Sequence, residues 1–230
     1  MYQTIRLGFT NSYLVPGDNG YLLIDAGSPG KSKSFFHKLK NRGITPNQIV
    51  LIVVTHVHFD HVGSLFHIRE RCGCPVAVHT DEASLLQDAI VVIPPGTKFI
   101  NKQLSIIGRK NMKAVSRMLR FRSVQPDILV NSDMPLESYG FKAHIISTPG
   151  HSSGSLSIVT DSGVAFTGDL MVNYYPFELG PYFPPYGDDV NLILKSWKKL
   201  LGMGVSTICP AHGKPFSANK LKKIIEKGAL

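Results

Sequence analysis

The chain has 230 residues, 43% hydrophobic and 18% charged, proportions that suit a globular fold and exclude a disordered or low-complexity one. No apolar run approaches the roughly 18 residues of a membrane span, and the start, MYQTIRLGFTNSYLV, lacks the basic, apolar and small-residue blocks of a secretory signal. The formal net charge is +9, and the three cysteines, Cys72, Cys74 and Cys209, cannot all pair, so the expected compartment is the reducing cytoplasm.

The apolar runs SYLV (12–15) and YLLID (21–25) flank the turn signal PGDNG, which predicts a β-hairpin. SKSFFHKLKNRG follows, with Phe35, Phe36 and Leu39 at helical spacing and Gly43 as a C-terminal cap. QIVLIVVT (48–55) is continuous and β-branched, the composition of a strand buried on both faces. VGSLFHIRER then reads as a helix, PVAVH as a short strand and TDEASLLQD as a helix capped by Thr80 or Asp81. The CGC between them is not the CxxC of a zinc finger, so the thiols are not expected to bind metal. A poorly periodic stretch from Ala89 to Pro126 carries eight basic residues and no acidic one, so most of the net charge belongs to one surface. Beyond it come strands in FKAHIIST (141–148), SLSIVT (155–160) and VAFTG (164–168). An amphipathic helix in DDVNLILKSWKKLLGMG, a strand in STICP and a last helix in SANKLKKIIEKG complete the chain. This order reads as one domain over 1–230, its sheets covered by helices, with a basic, lid-like helical insertion around 89–126.

Each chemically distinctive side chain falls just after a predicted strand. His56, His58, Asp60 and His61 follow LIVVT, His151 follows HIISTPG, Asp169 follows VAFTG and His212 follows STICPA. Strand ends at one sheet edge converge, and loops there carry ligands without disturbing the core. Imidazoles and carboxylates without thiolates are a donor set for zinc, iron or manganese. Five of the nine histidines share these loops, which chance does not explain. His37, His67, His79 and His144 read as surface or core residues.

THVHFDH (55–61) matches the HxHxDH signature of the metallo-β-lactamase superfamily, and LLIDAG, TPGHSSGSLS, FTGDL and CPAHG resemble its other motifs, in the same order. The resemblance spans almost the whole chain and implies an α+β fold, a four-layer αββα sandwich with a dinuclear site at one edge. It implies one divalent ion on His56, His58 and His151, another on Asp60, His61 and His212, and Asp169 bridging the two. Zinc is the first expectation, with iron and manganese behind it. Asp25 of LLIDAG would orient a ligand histidine from behind. A hydroxide bridging the ions would be the nucleophile, with Asp60 doubling as ligand and catalytic proton carrier.

Departures from individual subfamilies narrow the activity. Class B β-lactamases carry cysteine where Asp169 stands, flavodiiron proteins carry glutamate where His58 stands, and nuclease relatives need a large extra domain. Hydroxyacylglutathione hydrolases and lactonases share the ligand set. However, no GCGR-like segment follows Asp169, and Val172 occupies the place of a lactonase tyrosine, leaving that role to Tyr174 or Tyr175. The expected protein is a hydrolase of a small ester, thioester or lactone. Two alternatives stay open: a mononuclear-iron persulfide dioxygenase, and a metal-containing binding or regulatory protein with vestigial activity.

Two segments lie outside these motifs. The aromatic, proline-rich run from Tyr174 to Tyr186 reads as a packed surface loop or dimer contact, or as an apolar wall for the acyl or aromatic part of a substrate. From Lys110 to Arg122, Met112, Val115, Met118 and Leu119 share one helical face and Lys110, Lys113, Arg117 and Arg120 the other. The leading expectation is a solvated helix packed by its apolar side. A lid for an anionic small-molecule substrate and a membrane-surface patch are the alternatives, and nucleic acid ranks last for want of stacking aromatics. A homodimer is left open.

Overall fold

The computed structural model describes residues 1–173 and 182–226. Its first sheet has the order β1 (Gln3–Leu7), β2 (Thr10–Gly17), β3 (Gly20–Ile24), β4 (Ile49–Val53), β5 (Val76–His79) and β6 (Ile128–Val130). β1 to β3 run antiparallel and β3 to β6 parallel. The second sheet contains β7 (Met134–Pro135), β8 (Ala143–Ser147), β9 (Leu156–Thr160), β10 (Val164–Phe166), β12 (Thr207–Cys209) and β14 (Phe216–Ser217). β11 (Val172–Asn173) and β13 (His212–Gly213) form a separate parallel pair.

Side-chain alternation builds the layers. Leu22, Ile24, Leu51 and Val53 of the first sheet share one core with Ala143, Ile145, Ile158 and Phe166 of the second. Their sequence neighbours Leu23, Ile52 and Val54 turn to the opposite face. There they are covered by α1 (Ser32–Lys40), α2 (Phe59–Val62), α3 (Leu65–Cys72) and α4 (Ala83–Gln87), through Phe35, Val62, Leu65 and Leu86. The chain then runs through α5 (Phe99–Lys110) and α6 (Met112–Leu119). On the outer face of the second sheet, Ile146, Val159 and Ile208 meet α7 (Val190–Gly202) and α8 (Ala218–Glu226) through Ile193, Trp197 and Leu221. Two sheets packed face to face with helices outside make a four-layer αββα sandwich of the α+β class.

Most elements follow from local sequence. The hairpin closes through Asp18–Asn19 between the paired Gly17 and Gly20. β4, flanked by parallel partners and buried on both sides, is the continuous β-branched run expected of such a position. α7 begins where Asp189 accepts hydrogen bonds from the backbone N–H groups of Asn191 and Leu192. Gly43 takes the left-handed conformation (φ +68) just past the end of α1.

The structure differs from the sequence expectations in several places. β1, the three-residue β6 and the two-residue strands β7, β11, β13 and β14 are not among the predicted elements. The TDEASLLQD helix is a 3-10 turn, Thr80–Glu82, followed by α4, and its cap is the His79 ring, which accepts from Asp81 N at 3.1 Å, rather than Thr80 or Asp81. The expected helix over 110–122 is split at Asn111 and ends at Leu119; Val115 and Leu119 pack against the first outer core, but Met118 stands 74% exposed, so its apolar side is only partly covered.

Trp197 is fully buried, and its indole N–H donates to the carbonyl of Leu170 at 3.0 Å, anchoring α7 to the segment that carries Asp169. Trp197→Ala is expected to lower unfolding free energy in urea by about 3–5 kcal/mol, the usual cost of emptying so large a core site.

Candidate metal centre

Strand direction brings the motif loops together. β8 and β10 are both antiparallel to β9, and β12 is parallel to β10, so β8, β10 and β12 all point the same way. Their C-terminal ends deliver His151, Asp169 and His212, while the parallel β3 and β4 deliver Asp25 and the His56–His61 loop. The two sheets touch closely here: Gly168 has φ +52, and a Cβ on it would lie 2.6 Å from Thr55 Oγ1. Only glycine permits that approach without displacement.

All seven predicted site residues are brought together, in two groups. One contains His56, His58, His151 and Asp169, the other Asp60, His61 and His212; within each, the ligand-type atoms lie within 4.8 Å of one another. In the first group His56 Nε2 stands 2.9 Å and His151 Nε2 3.1 Å from His58 Nδ1, so three ring nitrogens converge. In the second, His212 Nε2 is 3.2 Å from Asp60 Oδ2. Asp169 stands between the groups. Its Oδ1 lies 3.3 Å from Nε2 of both His61 and His212, and its Oδ2 lies 3.8 Å from His151 Nε2.

What lies behind the rings sets which nitrogen each presents. Asp25, buried and itself in the left-handed region at φ +59, accepts from Thr55 N and Thr55 Oγ1 at 2.8 Å each and from His61 Nδ1 at 2.8 Å. A non-glycine residue held at positive φ costs of order 1–3 kcal/mol, which three hydrogen bonds to one carboxylate offset. His151 Nδ1 donates to the Tyr186 carbonyl at 3.0 Å and His212 Nδ1 to the Phe9 carbonyl at 3.1 Å. These bonds leave Nε2 of all three rings aimed at the centre.

Charge divides the site into two halves. Burial, then the adjacent His61 and His58, hold His56 well below the ordinary imidazole range. Burial and His151 push His58 down to about 3. Burial also opposes charge on His61 and His212, but carboxylates outweigh it: Asp169, Asp25 and Asp60 hold His61 well above its usual value, and Asp169 and Asp60 raise His212 to about 10. Burial alone would raise the carboxyls of Asp60 and Asp169; His61 and His212 instead hold both below the usual carboxylate range.

The centre is suited to a cation. His61 Nε2 and Asp169 Oδ1 are both buried, 3.3 Å apart and without a hydrogen-bond partner, close enough to attract but not aligned as a hydrogen bond. A ring nitrogen and a carboxylate oxygen aimed at a common point are arranged as two ligands of one ion are. Either group of side chains could hold a divalent metal, and the all-imidazole and carboxylate chemistry fits zinc, iron or manganese alike. The centre opens on a cavity of about 390 Å³ whose lining includes Asp60, His58, Phe59, Val92, Ile93 and Leu119.

The remaining sequence candidates lie elsewhere. Tyr174 and Tyr175 fall outside the described residues, as does the aromatic run as far as residue 181; of its remainder, Pro184, Pro185 and Tyr186 line the cavity. His37 and His144 are at the surface, and His79 caps a turn. The three cysteines are free and buried, in no metal-competent group among the described residues. Sequence reasoning missed Glu82, whose buried carboxylate accepts from Val57 N at 2.7 Å between His56 and His58. Its acidic side chain at a helix start reads from sequence as a solvated N-terminal charge. The supporting carbonyls of Phe9 and Tyr186 leave no sequence signal at all.

Fold and site together define a class: a two-sheet sandwich with clustered histidines and aspartates, competent to bind metal, at one edge. The chain matches the Metallo-beta-lactamase superfamily over residues 5–212 and belongs to that superfamily. It is 30% identical over 162 residues to the probable metallo-hydrolase YqgX of Bacillus subtilis (strain 168), covering 70% of this chain and 65% of that protein, just under two thirds of its length. It is 26% identical over 225 residues to the acyl-coenzyme A thioesterase MBLAC2 of Gallus gallus, covering 93% of this chain and 76% of that one. Among solved structures, the BLEG-1 B3 metallo-beta-lactamase superposes with a TM-score of 0.71 at 23% identity, covering 97% of each chain, a likeness of fold alone.

Asp25→Asn keeps the shape of the carboxylate but removes its charge behind His61. Competition with a chelator should show metal affinity reduced by about 10–100-fold, the scale for losing such a support, while far-UV circular dichroism stays unchanged.

Proposed function

We propose that the protein is a metal-dependent hydrolase of a small ester, thioester or lactone. In this reading His56, His58 and His151 hold one divalent ion, Asp60, His61 and His212 a second, and Asp169 is shared between them. The observation that carries it is the position of Asp169, whose two carboxylate oxygens face different groups of histidines. Zinc is the first choice of metal, with iron and manganese compatible with the same donors. Divalent ions bound there would supply Lewis acidity, acidifying water and polarising a carbonyl.

The chain's own residues account for the rest. Asp60 lines the cavity with its carboxyl held ionised, so it can accept the proton released as water adds to the carbonyl carbon. As the C–O or C–S bond breaks, Asp60 returns that proton to the departing oxygen or sulfur. The neutral His56 and His58 offer lone pairs without electrostatic penalty to a cation. Val92, Ile93, Leu119 and Pro184 give the cavity an apolar wall for an acyl group, and the named activity of the MBLAC2 relative favours a thioester among the three substrate classes. The same reading takes the chain as one catalytic domain, with residues 89–126 inserted over the cavity. Free cysteines suit a cytoplasmic setting.

The test is a metal-reconstituted sample screened against matched ester, thioester, lactone and phosphodiester panels. Carbonyl substrates should be hydrolysed, and Asp60→Asn, checked for full metal content, should lower kcat by at least about a hundredfold. Oxygen consumption with a persulfide and no hydrolysis would contradict the proposal, as would near-wild-type turnover of the metallated Asp60→Asn protein for the proton-carrying role.

A further inference from the structure

Helix α5 is turned inside out for a helix facing water. Its buried positions are the polar Asn101 and Ser105, while Phe99 (76% exposed), Ile100 (67%) and Ile107 (58%) point outward. Ser105 is held inward by donating to the Pro94 carbonyl at 2.8 Å. Single exposed apolar side chains are ordinary, but seven of the twelve large exposed apolar residues among those described lie between Ile90 and Met118. Five of the seven share α5, and exposed apolar residues clustered on one element mark an interaction surface.

The charge around the patch says what covers it. Lys98, Lys102, Lys110, Lys113, Arg117 and Arg120 are exposed, and none forms an ion pair among the described residues. Arg109 and Arg122 are engaged otherwise, one donating to the Ile93 carbonyl and the other stacked over Phe66. The stretch from Ala89 to Pro126 has no acidic residue to neutralise them. Aliphatic side chains framed by unpaired cations match a surface that is apolar within and anionic at its rim, as an acidic lipid bilayer is. A nucleic-acid backbone would use the cations and leave the isoleucines in water. No helix is long and apolar enough to cross a membrane, so the contact would lie along the interface.

We infer that α5 and α6 form a docking face for an anionic membrane surface, with Phe99, Ile100 and Ile107 entering the headgroup layer and the lysines and arginines resting on lipid phosphates and carboxylates. Leu104, which is 53% exposed on α5, also lines the catalytic cavity, so the docked face is continuous with the cavity mouth. The inference does not depend on the hydrolytic reading, because its readout is lipid binding.

The experiment is flotation of the full-length, metal-loaded protein with vesicles of phosphatidylcholine, with and without phosphatidylserine, at low and high salt. Wild-type protein should float with the serine-containing vesicles, and less so at high salt, where the Debye length falls below about 8 Å. The double variant Ile100→Ser/Ile107→Ser keeps every charge and should bind at least about tenfold more weakly. The triple variant Lys102→Gln/Lys110→Gln/Lys113→Gln should lose the salt sensitivity. Unchanged circular dichroism and Tm would show both variants folded; these side chains are exposed, and a variant that does fail to fold is replaced by Phe99→Ser. The inference is overturned if wild-type protein does not float. It is also overturned if Ile100→Ser/Ile107→Ser binds as wild type does, which would be adsorption by charge alone. Light scattering that shows a dimer dissolved by the same double variant, with no flotation, would overturn it in favour of a second copy of the chain, and salt-sensitive binding to an oligonucleotide in place of vesicles would overturn it in favour of nucleic acid.

Discussion

A single carboxylate, that of Asp25, ties the layers to the chemistry. It sits where β3 ends, in a backbone conformation that an L side chain rarely adopts, and collects hydrogen bonds from the backbone and hydroxyl of Thr55 and from His61. Thr55 is the residue against which Gly168 presses from the other sheet. The hydrogen-bonded unit of Asp25, Thr55 and His61 thus lies where the two sheets approach closely, next to the loops bearing His61 and Asp169, and Leu156 N of the second sheet donates to the Thr55 carbonyl at 2.8 Å. Buried polar networks are stable only when their members are satisfied, so changes to Asp25, Thr55 or Gly168 would be felt in the site before they were felt in the cores.

That rigidity has an electrostatic consequence. Five imidazoles and two carboxylates are held at short range in a region that water barely reaches. Three of the rings are supported from behind, so they cannot turn away to relieve the crowding. In one half of the site the neighbouring carboxylates favour positive charge at His61 and His212, while in the other burial and crowding of rings disfavour it at His56 and His58. Cations shared by both halves would satisfy the unpartnered His61 Nε2 and Asp169 Oδ1 together, which is the physical basis of the proposed metal ligation. The cavity beside it, lined by Val92, Ile93, Leu119 and Pro184, is what the proposed acyl substrate would meet.

Much of this was legible in the sequence because the informative segments obey short-range rules. The β-branched run of β4 could only be an inner strand, and the polar residues following it had to lie at a sheet edge. Asp25 was readable as a support because its motif precedes the histidine loop in the expected order. What escaped notice depended on contacts far apart in the chain. QTIRL forms β1 only because β2 offers it an edge, and the carbonyls of Phe9 and Tyr186 become supports only once His212 and His151 have been brought to them. The His79 cap was missed because imidazole is not among the usual capping side chains. In helix α5 the apolar residues face outward and Asn101 and Ser105 inward, an orientation that sequence periodicity cannot reveal because it is the same whichever face meets the core.

The central claim is that this edge of the sandwich binds a pair of metal ions bridged by Asp169, and elemental analysis tests it most directly. Wild-type protein purified without chelator, and again after reconstitution with zinc, iron or manganese, should retain up to about two ions per chain. Asp169→Ala should retain fewer, because two cations at close range would repel without their shared anion. A wild-type protein that holds no transition metal after reconstitution, or an Asp169→Ala protein that holds as much as wild type, would contradict the account.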